Sequence, residues 1–408
     1  MKQRRTILLI VVASLGYFVD IYDLILFNIV KKESLLYLGI SESDWRRYDA
    51  FLFRWQMGGM LLGGILWGVL GDRRGRVAVL FGSILMYSLA NIANAYVWDI
   101  PSYQVIRFIA GIGLAGELGA GITLVAETMP KEKRGYGTMI IVSFGALGAV
   151  FAYLVADWFD WKAAYWAGGL MGLGLLAMRV GAHESGMFKN MAGEPGVRRG
   201  RFLDIFRQRA RALKYLKCIA MGLPVWFVVG VLVALSESYF EPVLGVEGDI
   251  EVAKAVLFCY VGLAAGDFFS GFFSQIFKSR LKVVTAFLIL CLVCTGLYLF
   301  CTAGRSVNFF YALCLVCGAA TGYWAMFVTI AAEQFGTNIR STVASTVPNF
   351  VRGAVIPITF CFETLAGHPS VGVVAASLIV GTVCIGLALV ATLTLPETFS
   401  KELDYLET

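Results

Sequence analysis

Seven charged side chains stand inside stretches that are otherwise apolar: Asp20 and Asp23 within residues 6–30, then Arg54, Arg107, Glu117, Asp267 and Arg352. A charge in hydrocarbon is costly, so it persists where it pairs with an opposite charge, carries a proton or meets a charged ligand. The acids are therefore candidates for proton carriage. Arg352 lies one helical turn from Asn349, and a planar guanidinium beside an amide suits a carboxylate or phosphate group. Nothing here makes or breaks covalent bonds. No nucleophile, base and orienting group occur together, the only histidines, His183 and His368, fall in predicted connections, and no G-x-x-x-x-G-K-[ST] loop is present to hold ATP. The chain reads as a non-enzyme without a cofactor.

The positions of these charges follow from the segments that carry them. With 58% hydrophobic and 15% charged residues and a mean hydropathy of +0.74, the chain is an integral membrane protein. Lipid leaves backbone groups to satisfy themselves, so apolar runs of about 20 residues are helices. Twelve are predicted: 6–30, 49–70, 77–97, 102–128, 136–157, 162–180, 215–238, 252–277, 282–302, 308–333, 342–366 and 370–394. Their connections set the orientation, because 24 of the 34 Lys and Arg residues lie on one side and 7 on the other if both termini are cytoplasmic. The net charge of +6 is thus a topology signal and no nucleic-acid footprint, and the basic stretch "VRRGRFLDIFRQRARALKYLK" is expected along the anionic inner leaflet.

Depth along these helices gives the first pairings. Asp23 lies seven residues from the outer end of helix 1 and Arg54 about six from that of helix 2, so they are level and are expected to pair. Asp20 is one turn deeper. Arg107 and Asp267 are read as further structural partners. Glu117 has no evident partner and, with Asp20, is the expected proton carrier. The nine cysteines all lie between Cys218 and Cys384, and the C-x-x-C pairs Cys291/Cys294 and Cys314/Cys317 sit inside predicted helices, where packing is expected and a metal is not.

An internal repeat divides the chain. "VAETMPKEKRGYGT" and "AAEQFGTNIRSTVA" each place a glutamate seven residues before an arginine, Glu127 with Arg134 and Glu333 with Arg340. "GVLGDRRGR" has a weaker counterpart in "GFFSQIFKSRLK", with Gln275 where Asp72 stands. The expected plan is a six-helix bundle over 1–180, a basic cytoplasmic linker over 181–214, and a second bundle with a short tail over 215–408.

At this level the chain resembles the major facilitator superfamily. The loop with Gly68, Asp72, Arg73, Gly75 and Arg76, the stretch "VIRFIAGIGLAGELGAG" around Arg107, and the tail "LPETFSKELDYLE" carry the resemblance. "FVDIYDLILFN" with "GELGAGITLVAETMPKEKRG" is most similar to the metabolite:proton symporters and the phosphate, aromatic-acid and sugar-acid porters. The resemblance implies an all-α membrane protein of two pseudo-symmetric six-helix bundles. It also implies alternating access, a gate at the Asp72 loop joined by Glu127, Arg134, Glu333 and Arg340, and a substrate site near the midplane. Candidate substrate contacts are then Arg352, Asn349, Tyr323, Trp324, Tyr17 and Gln56.

The expected activity is proton-coupled uptake of a small anionic metabolite across the plasma (inner) membrane by a protein acting as a monomer. Transport of a neutral or zwitterionic solute is the alternative. Export is disfavoured because "SFGALGAVFAYLV" in helix 5 lacks the proline of drug antiporters. A ligand sensor is disfavoured because no long soluble extension is present.

Overall fold

The computed structural model describes residues 2–41, 45–179, 184–193 and 199–407. The first bundle holds α1 (Lys2–Tyr37), α2 (Trp45–Arg74), α3 (Arg76–Asn94), α4 (Ile100–Leu114), α5 (Glu117–Thr128), α6 (Arg134–Trp158) and α7 (Trp161–Met178). A short α8 (Gly186–Gly193) and a 3-10 turn at Phe202–Phe206 follow. The second bundle holds α9 (Arg209–Phe227), α10 (Glu241–Leu244), α11 (Val252–Ile276), α12 (Arg280–Phe300), α13 (Val307–Thr321), α14 (Trp324–Glu333), α15 (Arg340–Gly353), α16 (Val355–Ala366) and α17 (Gly372–Thr394). No β-strand occurs among the described residues. A 25-residue helix such as α6 is about 37 Å long, enough for a hydrocarbon core of about 30 Å. Polar caps start several passes: Asp99 accepts from Ser102 at α4, Asp160 from Ala163 at α7, Ser279 from Lys282 at α12, and Ser306 from Phe309 at α13.

Three predicted helices are broken in mid-membrane. The pass expected at 102–128 splits into α4 and α5 at Ala115–Gly116, and the one at 308–333 splits into α13 and α14 at Gly322–Tyr323. These positions are equivalent in the repeat. The pass at 342–366 bends at Ala354 between α15 and α16. The pass that begins with α9 also loses regular α geometry: Pro224 lies inside α9, and π-helical turns follow at Val228–Val233 and Ser236–Phe240. Hydropathy spans do not register such breaks, because the residues around them stay apolar.

The two bundles meet along two seams. On one, α2 runs along α15 through small residues; a Cβ on Gly68 would lie 2.8 Å from the Cα of Thr342. On the other, α6 runs along α11, with Gly271 against Met139. Gly68, which the resemblance places in the gate loop, lies inside α2 and serves close approach, because the helix continues to Arg74. The turn falls to Gly75, whose φ of 106° lies in the region that favours glycine. The expected linker over 181–214 and His183 fall partly or wholly outside the described residues.

Candidate functional site

A small cavity of about 20 Å³ sits between the bundles, room for about one water, lined by residues that include Tyr17, Trp226, Tyr260, Leu263, Trp324 and Arg352. Tyr17 comes from α1, Trp226 from the end of α9 where the helix widens, Tyr260 and Leu263 from α11, Trp324 from the first turn of α14, and Arg352 from the end of α15. Arg352 is fully buried and has three polar neighbours. Its Nη2 lies 3.4 Å from Oδ2 of Asp20 and 3.5 Å from the hydroxyl of Tyr17, while Nη1 donates to Oδ1 of Asn349 at 3.3 Å. The guanidinium also stands 5.9 Å from the Trp324 ring. These contacts are long for charge-assisted bonds, which usually run about 2.7–2.9 Å, so the guanidinium is held loosely.

The other expected substrate contacts are not among the cavity-lining residues and are engaged by other partners. The amide nitrogen of Asn349 donates to the carbonyl of Ala115 at 2.8 Å and to that of Ser345 at 2.7 Å, so it caps the buried carbonyl end of α4 across the bundle interface. Tyr323 turns away from the cavity and donates its hydroxyl to Met221 O at 3.0 Å. Gln56 accepts from Arg107 inside the first bundle.

Two expected charge arrangements are corrected. Asp23 does not pair with Arg54. Asp23 is fully buried toward α7, where a Cβ on Gly168 would meet its Oδ1, and both its oxygens lack hydrogen-bond partners among the described residues. Arg54 instead bridges the bundles, 3.5 Å from Glu363 of α16, with both side chains partly exposed. Depth was the same, but the two residues face different directions around their helices. Asp20 and Asp23 also point apart: three residues along a helix fall about 60° short of a full turn, which sends Asp20 to Arg352 and Asp23 into the bundle. Glu117 also has a partner. Arg179, just past the end of α7, grips it bidentately, with Nη1 to Oε2 at 2.9 Å and Nη2 to Oε1, and α1 closes over the pair at Gly16. Arg107, also read as structural, stacks on Phe27 with its guanidinium 4.4 Å from the ring.

The Asp72 end of the molecule is shut by buried polar bonds. Asp72 caps the start of α15: Oδ1 accepts from Ser341 N at 3.0 Å, and Oδ2 accepts from Thr342 N at 2.8 Å and from the Thr342 hydroxyl at 2.6 Å. A carboxylate there meets the positive end of the helix dipole. Beside it, Arg76 donates to Glu127 at 2.8 Å, to Gly71 O at 2.8 Å and to Thr337 O at 3.1 Å. Arg340 reaches Glu127 from the other bundle at 3.1 Å. The repeat-related set mirrors this: Arg280 grips Glu333 at 2.7 and 2.8 Å, and Arg134 approaches the same carboxylate at 3.6 Å. Each glutamate thus has an arginine of its own bundle and one of the opposite bundle. Arg280 was missed, although it stands in "KSRLK", opposite the Asp72 loop in the repeat. Arg73 is exposed, with Nε 3.5 Å from Arg199 O.

The C-terminal tail crosses this closed end. Arg134 donates to Lys401 O at 3.0 Å and Lys131 pairs with Glu402, on the first bundle. Thr337 N donates to Tyr405 O at 2.8 Å, Arg340 donates to Leu403 O, and Lys214 lies 3.2 Å from Glu407, on the second. At the tail's start, Glu397 is partly buried, which raises its pKa, but donors from Ser279 and from the N–H groups of Phe399, Arg280 and Thr398 outweigh burial and hold it below the usual range. At the opposite end, among the described residues, the bundles are joined by the partly exposed Arg54–Glu363 bridge beside a space of about 60 Å³. An exposed pair is worth about 0–1 kcal/mol, whereas stranding one partner of a buried pair costs about 3–5 kcal/mol, so the Arg54 end is the easier to open.

Comparison with known proteins agrees with this geometry. The sequence model of the Major Facilitator Superfamily matches residues 13–358. The chain is 29% identical over 338 residues to the 3-(3-hydroxy-phenyl)propionate transporter of Escherichia coli (strain K12), covering 78% of each protein. It is 35% identical over 168 residues to the niacin transporter NiaP of Acinetobacter baylyi (strain ATCC 33305 / BD413 / ADP1), covering 39% of this chain and 36% of that one. Its fold superposes on the proton:xylose symporter XylE with a TM-score of 0.76 at 18% identity, covering 99% of this chain and 98% of that one.

Proposed function

The chain belongs to the Major Facilitator Superfamily, and from that premise we propose that it carries a small aromatic carboxylate together with a proton. The observation that carries this reading is Arg352, a loosely held guanidinium in a central cavity walled by Tyr17, Trp226, Tyr260 and Trp324. The guanidinium matches a carboxylate and the rings match a flat apolar body. The relatives named for niacin and for 3-(3-hydroxy-phenyl)propionate support the choice, since both compounds join an aromatic ring to a carboxyl group.

Asp20 supplies the coupling in this reading. It is the counter-charge of Arg352 at 3.4 Å, and a substrate carboxylate entering the cavity competes for the same guanidinium. Once displaced, the Asp20 carboxylate is a buried anion without a partner, and a proton relieves it. Substrate and proton therefore enter together and leave together. With the Asp72 end in the cytoplasm, as the Lys and Arg distribution expects, the arrangement has its inner gate shut, while the outer end carries, among the described residues, the partly exposed Arg54–Glu363 bridge. The bundles over 1–180 and 215–408 are the units that rock.

The test is uptake into proteoliposomes of radiolabelled benzoate, nicotinate, a sugar acid and an uncharged sugar, with and without an inward proton gradient. Acid uptake stimulated by the gradient, lost in Arg352→Lys and reduced to exchange without accumulation in Asp20→Asn, is the expected result. Gradient-driven uptake of the uncharged sugar alone would overturn the reading, as would accumulation of an acid by Asp20→Asn with unchanged pH dependence.

A further inference from the structure

We infer that Asp267, which is not among the cavity-lining residues, fixes the aromatic wall of the substrate site by holding the start of α14, and so sets preference for aromatic over saturated acids; this rests on the carboxylate reading above. Asp267 lies on α11 and is fully buried. Its Oδ1 accepts from the backbone N–H of Ala325 at 2.7 Å, the second residue of α14, and the N–H of Trp324 also acts on the carboxylate. Both donors belong to the group that any helix leaves unsatisfied at its N-terminus. Asp267 is therefore a cap supplied by a neighbouring helix, at a break in the middle of the membrane.

The contact is pinned from both sides. Gly266, the preceding residue, touches the break directly: a Cβ on Gly322 would lie 2.4 Å from the Cα of Gly266, and one on Gly266 would lie 2.2 Å from Ala319 O. The two backbones meet at van der Waals distance, so the carboxylate one residue later has a fixed reach to α14. Trp324 is the first residue of that half-helix. Its ring lines the cavity, stands 5.9 Å from the Arg352 guanidinium and packs at 4.8 Å on Phe327. Whatever holds the first turn of α14 holds this ring over the place where a substrate would lie. Asp267 does so without touching substrate, and is a positioning residue.

Its other oxygen adds an independent observation. Oδ2 is buried and has no hydrogen-bond partner among the described residues, and no basic side chain is among the groups acting on the carboxylate. A structural acid is ordinarily matched by a cation, as Glu117 is by Arg179. Asp267 is matched only by the end of α14, so its acceptor oxygen and the seat of Trp324 are bound to each other.

The experiment has one readout without ligand and one with it. The emission of Trp324 is isolated as the difference between each protein and its Trp324→Phe counterpart, and its acrylamide quenching is measured. Benzoate and cyclohexanecarboxylate, alike in charge and size but not in ring electrons, are titrated by calorimetry. Asp267→Ala should shift the Trp324 emission to the red, raise its quenching and lower the benzoate to cyclohexanecarboxylate affinity ratio by about tenfold, the scale of one aromatic contact. Asp267→Asn, which keeps an oxygen for Ala325 N–H, should stay close to wild type. If Asp267→Ala does not fold, Asp267→Leu fills the volume without an acceptor and carries the same expectation. Unchanged Trp324 emission and an unchanged ratio in the folded variant would overturn the inference. A shifted emission in a protein whose wild type binds neither acid would overturn the carboxylate reading and the preference drawn from it, while supporting the seat of Trp324.

Discussion

The side-chain amide of Asn349 donates to the carbonyl of Ala115, 2.8 Å away on the opposite bundle, while its oxygen accepts from Arg352 at 3.3 Å. One residue thus joins Arg352 to the broken end of α4. Anything that draws Arg352 aside changes the hold of Asn349 on the first bundle.

Asn349→Ala should therefore alter gating more than binding. Ligand affinity should change less than about threefold, whereas a cysteine placed near Asp72 should react several times faster with a soluble maleimide, since a lost hydrogen bond of this kind is worth about 1 kcal/mol. Loss of affinity by tenfold with unaltered labelling would make Asn349 a substrate ligand.

Asp72→Asn keeps the size of the side chain but leaves one acceptor for the start of α15, sets an NH2 donor against the other N–H, and removes the charge that faces the helix dipole. A dipole contribution of up to about 2 kcal/mol in a buried setting predicts a gate that opens more often toward the Asp72 end. Transport should slow while the dissociation constant of a bound acid stays nearly constant. Initial uptake rates equal to wild type would reduce the loop to a connection.

Glu117 and Arg179 form a pair with both members about 1% exposed. Glu117→Gln leaves the guanidinium buried without its counter-charge, at a cost of about 3–5 kcal/mol. Lower yield and a lower melting temperature are expected, and Glu117→Gln with Arg179→Met should recover most of both. A Glu117→Gln protein of wild-type stability that cannot accumulate substrate would return Glu117 to the proton pathway.

Glu397 carries a dependence on pH outside the membrane. Its folded pKa lies below the ordinary 4.5, so it binds protons less readily when folded than when unfolded. The stability it contributes is complete above about 4.5 and is lost as pH falls through its lower folded value. Melting temperature in detergent should decline over that acid range, and Glu397→Gln should melt lower at pH 7 and decline less on acidification. Parallel melting curves for the two proteins would show that Glu397 makes no such contribution.

What the sequence discloses here is position along the chain and depth in the membrane. The repeat brings out Glu127, Arg134, Glu333 and Arg340 because it preserves their spacing, and hydropathy brings out the passes because burial in lipid is a property of whole segments. Direction around a helix axis is different. Asp23 and Arg54 are level yet face different neighbours, since azimuth depends on which helices pack together, and one sequence holds no record of that. Arg179 was hidden for another reason: it lies one residue past the end of α7, where a small shift in the helix boundary decides between a solvated side chain and a buried partner for Glu117. The breaks at Gly116 and Gly322 had a signal in the glycines of "GLAGELG" and "AATGYW", but glycines also serve close packing, and only the fold separates the two uses.

The tail from Pro396 to Glu407 is a tether laid over a hinged door. It is fastened to the first bundle through Lys131 and Arg134 and to the second through Thr337, Arg340 and Lys214, so the Asp72 end parts only when one set of fastenings lets go. Any parting of the two bundles is then exposed to load applied over Lys401–Glu407. A bulky fluorescent fusion, an antibody against the tail or a bound peptide partner would each act as a brake or a lever on turnover, far from the substrate and without touching it.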